Sequence, residues 1–576
     1  VIKDFLKKYW YRYVLGILVL VLVDLSQLFV PKLIGQVVDH LKLPNPDQKY
    51  IWLMISWIMG IALGMAILRF FWRYFIIGAS RRFEYVSRNF LFEKLMSLTP
   101  GYFDQNRSGD LMAKLTNDLQ AVRMALAQGV VMSVDATFMA IMTVFFMGST
   151  VSWRLTWLSC IPLPGLAFVA LFFGRMIHRR FREVQREYSS LSELTEETVS
   201  GVRIVKSFSA NDRIHQLFNE RSQRNYQSAM SLARVSSLFF PLMTFFAASS
   251  QILALSFGGK MVINGTVTLG EFIAFNSYLG MLTWPMMALG WVLNMIQRGR
   301  ASYQRLMQIV NETPQVQDPK DPVEIEKIEH VEFKNLTYRY PGTERDVLKN
   351  VSFSFNRGDM VGIVGTVGSG KSTLVRLLAK LYPVERGRIF INGVDINDIS
   401  SENIRKLIAF VPQESFLFSD QVQRNIAFAQ QKIDFEKVVR YAKLASVHDE
   451  IEKFSDGYKT VVGERGVTLS GGQKQRVTIA RALYTERDVL IFDDCLSAVD
   501  PETEEKIIGA LRKNYREKTM IVITHRLKVL KDADMIIVLD EGKIVEKGDH
   551  EQLIELDGMY ARMFRKQMIE EELECE

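Results

Sequence analysis

The sequence predicts a polytopic α-helical membrane domain of six spans fused to an α/β P-loop domain. Three observations support this: long apolar stretches confined to the first half, a change near residue 310 to charged, glycine-punctuated sequence, and an apolar run, Val361-Gly362-Ile363-Val364, that enters a glycine-rich loop. At 576 residues the chain is too long for one core. Its hydrophobic fraction of 48% averages two very different halves, which sets the expected division into a membrane domain at 1–310, a linker at 311–325 and a nucleotide-binding domain at 326–576. The net charge of +7 does not point to nucleic acid, because the Lys and Arg residues lie between apolar spans and not in one stripe. Cys160, Cys495 and Cys575 are far apart and form no C-x-x-C pair, so neither a disulfide framework nor a zinc site is expected. No cleavable signal is expected either, since the chain does not start with a short apolar region and a small-residue cleavage site.

The first element is short. Ile2, Phe5, Leu6 and Trp10 recur at helical spacing among Lys3, Asp4, Lys7 and Lys8, which predicts an interfacial helix ahead of the first span. A bilayer core needs about 20 apolar residues per helix. Stretches near 11–32, 51–76, 127–149, 153–175, 237–259 and 270–296 meet that length. Two charged connections, after the second and fourth spans, carry Arg81, Arg82, Arg88, Lys94 and Lys114 in one and Arg179, Arg180, Arg182 and Arg186 in the other. The excess of positive charge places both arms, both termini and the second domain in the cytoplasm of a multi-pass protein of the cell membrane.

Ionisable and amide groups inside spans are costly, which makes Asp24, Asp135, Gln251, Asn276 and Asn294 candidates for substrate contact or for interhelical hydrogen bonds. Phe145, Phe146, Met147, Phe245, Phe246, Met281, Met286 and Met287 suit either lipid contact or an adaptable apolar cavity.

The second half carries the chemistry. Gly365-Thr366-Val367-Gly368-Ser369-Gly370-Lys371-Ser372-Thr373 is a P-loop pattern: backbone N–H groups wrap phosphates, Lys371 offsets their charge, and Ser372 can ligate Mg²⁺. Val489-Leu490-Ile491-Phe492-Asp493-Asp494 is a strand ending in two carboxylates, with Asp493 placed for the metal and Asp494 for the attacking water. Between them stands Leu469-Ser470-Gly471-Gly472-Gln473, where a helix begins with its positive end available to an anion.

That order resembles the ABC ATPase family, and the resemblance extends over the whole chain to the ABC exporters of type I. It implies ATP and Mg²⁺ as ligands. It also implies Tyr340 as the aromatic stacked on adenine, Gln413 as a sensor of Mg²⁺ and of the membrane domain, Asp500 within the D-loop 497–500, and His525 as the switch histidine. Gly463-Glu464-Arg465-Gly466 resembles a loop set against the coupling helices. Pro100-Gly101-Tyr102-Phe103-Asp104, Gly109-Asp110-Leu111 and Leu115-Thr116-Asn117-Asp118 in the first arm, with 200–208 in the second, resemble the coupling regions themselves. In this family two chains share each ATP, one giving the Walker motifs and the other the signature, so a second half-transporter is implied.

Position 494 departs from the family pattern, which has Glu in competent sites; Asp is shorter by one methylene, roughly 1 Å of reach, a displacement that can cost about 10²-fold in rate. A slow, degenerate ATP site beside an intact signature resembles one subunit of the heterodimeric multidrug exporters, whose substrates are small amphipathic compounds. A homodimer, an exporter of lipid, lipopeptide or peptide, and an ATP-gated channel remain alternatives.

Overall fold

Apolar runs of more than 20 residues become long helices, because in hydrocarbon every backbone N–H and C=O must bond within its own segment. The computed structural model describes residues 2–463 and 469–575, which leaves Glu464, Arg465 and Gly466 of the expected loop outside the described residues. Two compact units result, Val1–Met96 with Ser108–Glu312, and Ser97–Arg107 with Thr313–Glu576.

In the first unit the helices used below are α1 (Ile2–Leu41), α2 (Gln48–Trp72), α3 (Val130–Met147), α4 (Leu163–Ser200), α5 (Asn211–Leu253), α6 (Leu269–Met281) and α7 (Thr283–Asn311). Among the described residues, five helical stretches are long and apolar enough to cross a membrane: Lys7–Leu41, Gln48–Met96, Ser108–Cys160, Asn211–Ile263 and Leu269–Asn311. The sixth expected span, at 153–175, is divided. The helix Trp153–Cys160 ends at Ile161-Pro162, and α4 starts afresh at Leu163, because proline brings no N–H to continue the first ladder. The separate interfacial helix is also corrected: α1 runs unbroken from Ile2, with Phe5 buried edge-on against Phe83 at 5.3 Å. The side chains of Ile2, Lys3 and Leu6 lie outside the described residues.

Polar groups tie this unit together. Tyr278 of α6 donates to the Leu28 carbonyl of α1 at 2.7 Å, inside a cluster with Met139, Met147, Leu155, Leu166 and Phe275. Asp39 accepts from Thr268 Oγ1 at 2.6 Å and from Gly270 N at 2.7 Å, joining the end of α1 to the start of α6. In the first arm, Glu84 pairs with Arg81, Arg88 and Arg123. Asp118, read from sequence as part of a coupling region, is instead buried inside the first unit, gripped by Arg305 of α7 and by Ser302 Oγ at 2.9 Å.

In the second unit a four-stranded antiparallel sheet, built on His330–Tyr338 and Leu348–Asn356, covers one side of the P-loop helix. The main sheet consists of β1 (Met360–Gly365), β2 (Ile408–Val411), β3 (Val489–Asp493), β4 (Thr519–Ile523), β5 (Met535–Asp540) and β6 (Lys543–Gly548), in the order β6-β5-β1-β4-β3-β2. Neighbours are parallel except β5 with β6. Every residue of β1, β3 and β4 is buried, as expected of apolar parallel strands covered on both faces.

Candidate functional site: a nucleotide half-site

Parallel register brings the motifs to one edge. Ile523 of β4 lies opposite both Ile363 of β1 and Asp493 of β3, and Val411 of β2 lies opposite Phe492. The loops leaving these strands carry Gly365, Gln413, Asp494 and His525, so all four emerge at the carboxyl edge of the sheet, where open α/β folds bind ligands.

The phosphate loop ends at Gly370, whose φ of 100° only glycine adopts freely, and α8 (Lys371–Leu378) starts there with its N–H groups open. Lys371 Nζ folds back to the carbonyls of Gly365 at 3.0 Å and Thr366 at 2.8 Å. Burial lowers its pKa, opposed by the charges of Asp494 and Asp493. Ser372 Oγ donates to Asp493 Oδ1 at 2.7 Å, a hydroxyl and a carboxylate of the kind that could hold Mg²⁺. Asp493 is 0% exposed, and among the described residues neither its Oδ2 nor the buried Ser369 hydroxyl has a hydrogen-bond partner. Orphaned buried oxygens beside an inward-turned lysine fit a site completed by Mg²⁺ and triphosphate. Thr366 bonds Asp540, Val367 is 90% exposed, and Gly368 lies between Val367 and Ser369 at the loop tip.

Asp494 has φ 45°, a left-handed conformation that Asp tolerates, and its N–H is fixed by the Ile523 carbonyl at 2.9 Å. Gln413 Nε2 donates to Asp494 Oδ2 at 3.1 Å, so the structure joins these two residues directly. His525 is exposed just beyond β4, and its backbone carbonyl accepts from the Gln567 amide at 3.3 Å. Tyr340 is partly buried, its hydroxyl 3.1 Å from Thr373 Oγ1 and its ring edge-on to Tyr382 at 5.1 Å.

The signature forms a separate cluster. Ser470 caps α9 (Gly471–Tyr484) in a reciprocal capping box with Gln473, whose amide also reaches Glu450 at 2.8 Å. Gly471 and Gly472 lie against Ala498 of the D-loop; a Cβ on Gly472 would stand 2.8 Å from the Ala498 carbonyl oxygen. Asp500 caps α10 (Pro501–Asn514), and the Thr503 N–H holds its carboxyl below the usual range. Among the described residues no hydrogen bond or ion pair joins 365–373 to 469–473, so the phosphate loop and the signature stand as two separate clusters.

Three supports escaped the sequence reading. Arg526 Nη1 bridges Glu504 Oε2 at 2.6 Å and the Val499 carbonyl at 2.7 Å, tying the D-loop to the segment that carries His525. Tyr382 donates to Asp104 at 2.6 Å, and Gly101 packs on Tyr382 and Gln315, which seats the first arm's tip within the second unit. Arg476 pairs with Glu450 at 2.7 Å behind the signature helix. Only Arg526, adjacent to His525, carried a local signal.

Comparison with known proteins shows the family. Residues 13–286 match the family described as ABC transporter transmembrane region, and residues 348–497 the one described as ABC transporter. The probable multidrug resistance ABC transporter ATP-binding/permease protein YheI of Bacillus subtilis is 37% identical over 98% of this chain and 97% of its own length. The chain belongs to the ABC exporters. Multidrug resistance-like ATP-binding protein MdlA of Escherichia coli is 36% identical over 99% of this chain and 96% of its own, and the ATP-dependent lipid A-core flippase of Syntrophus aciditrophicus is 34% identical over 84% and 80%. A bacterial Atm1-family ABC exporter solved with ATP bound superposes with a TM-score of 0.80 at 26% identity, covering 97% of this chain and 99% of the other. This exporter couples ATP hydrolysis to transport.

Of the polar groups flagged inside the spans, Asn294 lines a cavity of about 650 Å³ with Trp291, Phe239, Phe240, Arg175 and His178. Gln251 and Asn276 are exposed. Met147 is buried and Phe146 packs against its cluster, whereas Phe145 and Phe245 are exposed; the Met287 side chain lies outside the described residues.

Burial raises the pKa of Asp493, with the Ser372 hydrogen bond opposing. The folded form therefore holds the proton more tightly than the unfolded chain, and stability present at acidic pH is lost as pH rises through the folded value. Asp493→Asn removes that loss. The nucleotide-free chain is expected to become more stable near neutral pH and to gain less at acidic pH, as measured by thermal unfolding, while the extra stabilisation by Mg²⁺ with ATP disappears. An Asn variant that is less stable at both pH values would contradict this account of Asp493.

Proposed function

We propose that the chain is one subunit of an efflux pump that moves small amphipathic drugs and other hydrophobic compounds across the cytoplasmic membrane by alternating access. Its own Walker motifs form a degenerate ATP site, and its signature completes the competent site of a different second half-transporter. The observation that carries this reading is Asp494, held at the sheet edge by Gln413 beside an intact phosphate loop, with the signature set apart from it. Lys371 turns from its two carbonyls to the phosphates, Ser372 and Asp493 hold Mg²⁺, and the short Asp494 carboxylate orients water poorly. Tyr340 stacks on adenine, Gln413 senses Mg²⁺ and the membrane domain, His525 contacts the γ-phosphate, and Asp500 with 470–473 faces the partner's nucleotide.

A partner also follows from the surface. At the second arm's tip, Ile204 is 65% and Phe208 81% exposed, which is costly for apolar side chains in water and suits a docked partner. Exposed Phe416 and Phe428 line a groove beside the Gln413 loop that suits the corresponding tip of a second chain. Both termini and the ATP unit lie in the cytoplasm, as the charged arms favour.

The test is transport. Sealed inside-out vesicles containing the assembled protein are expected to accumulate ethidium against its gradient with ATP and not with a non-hydrolysable analogue. ATP-driven movement of a fluorescent lipid without ethidium uptake would favour the lipid-exporter reading, to which the flippase relative lends support. Passive flux opened by nucleotide alone would mean a gated channel.

A further inference from the structure

One amide stands on the packed face of the last helix, α11 (Met559–Cys575). Tyr560, Met563 and Phe564 of that helix pack against the core of the second unit. Gln567, two turns after Tyr560, continues their stripe with a polar group where helical spacing calls for an apolar one. The stripe is firmly seated. Glu546 accepts from the N–H groups of Met559 and Tyr560, the Tyr560 hydroxyl lies 2.8 Å from His550 Nδ1, and Phe564 stands edge-on to His550 at 5.0 Å.

An amide in such a stripe loses hydration, and here both of its polar groups are used. Gln567 Oε1 accepts from the Leu527 N–H at 2.8 Å, and Nε2 donates to the His525 carbonyl at 3.3 Å. Those two backbone groups flank Arg526, so one side chain spans a single residue with two bonds. The other side of that residue is held as well: the Arg526 guanidinium bonds Val499 and Glu504, and its N–H donates to Thr524 Oγ1 at 3.0 Å. Among the described residues no hydrogen bond or ion pair reaches the His525 imidazole. The backbone that Gln567 grips therefore decides where that ring can reach.

We propose that Gln567 is a positioning residue for ATP hydrolysis, fixing from the last helix the backbone on which His525 reaches toward the γ-phosphate. This rests on the reading of His525 as the group that contacts the γ-phosphate, and adds to it the residue that holds it in place.

The experiment measures single-turnover ATP hydrolysis by the full-length assembled transporter in lipid nanodiscs, with the partner's catalytic glutamate replaced by glutamine so that the cleft on this chain's phosphate loop is read alone. Gln567→Met, of similar length but without the amide, is expected to slow hydrolysis by about tenfold, with ATP affinity and thermal unfolding little changed. Gln567→Glu keeps the acceptor for the Leu527 N–H and loses the donor to His525; a several-fold loss is expected, and this variant carries the test if the Met variant folds poorly. His525→Ala combined with Gln567→Met should be no slower than His525→Ala alone, because a residue that acts through His525 has nothing left to position. Losses that multiply in the double variant, or full activity in both Gln567 variants beside a slowed His525→Ala, would overturn the role of Gln567 alone. Full activity in His525→Ala would instead sink the reading of His525.

Discussion

Asp494→Glu is expected to raise ATP hydrolysis at the site built on this chain's phosphate loop by about 10²-fold, with ATP affinity nearly unchanged. The backbone of residue 494 is fixed by the Ile523 carbonyl, and the carboxylate is drawn toward Gln413, so the side chain's length alone decides how far the oxygens reach. One methylene adds roughly 1 Å, the scale on which near-attack geometry is won or lost. The groups that hold the phosphates, Lys371 and Ser372, are untouched, which is why affinity stays level.

The substitution has a cost that can be checked separately. At φ 45° a longer side chain is less comfortable than Asp, by about 1 kcal/mol, so the variant should melt slightly earlier while turning over faster. Steady-state hydrolysis by the reconstituted pair, with the partner's catalytic glutamate replaced by glutamine, isolates this site. If the rate stays flat there, Asp494 is not what limits it.

The phosphate loop, the paired carboxylates and the signature were legible because each is a contiguous pattern whose chemistry depends on neighbours in sequence. The gathering of the first two at one edge was not: it follows from parallel register, in which Ile523 lies opposite both Ile363 and Asp493. The Glu504–Arg526 clamp and the Tyr382–Asp104 bond link residues 22 and 278 positions apart, distances across which a single sequence carries no signal. Asp24 was visible as a costly charge within a span, but its burial depends on the helices packed along α1. The division at Pro162 was hidden differently. A window that averages hydropathy over a span sees the apolar side chains of 153–175 and not the missing N–H that ends one helix before the next starts.

Gly472→Val is expected to lower hydrolysis by the assembled transporter by about 10²-fold or more while leaving ATP bound normally to this chain's own phosphate loop. A Cβ at 472 would stand 2.8 Å from the Ala498 carbonyl oxygen, and the neighbouring Gly471 is already 3.3 Å, by the same construction, from the Ala498 side chain. The D-loop must therefore shift. It has little freedom to do so, because Gln475 Oε1 accepts from the Ala498 N–H at 2.9 Å and Arg526 holds the Val499 carbonyl. The alternative is that the tip of α9 tilts, turning its open N–H groups away from the partner's γ-phosphate that the proposed function has them serve. Nucleotide binding to the single chain, measured beside hydrolysis by the pair, separates the two clefts. Lost binding in the lone chain would place the signature over its own phosphate loop, and unchanged hydrolysis in the pair would show that the helix tip does not touch the transition state.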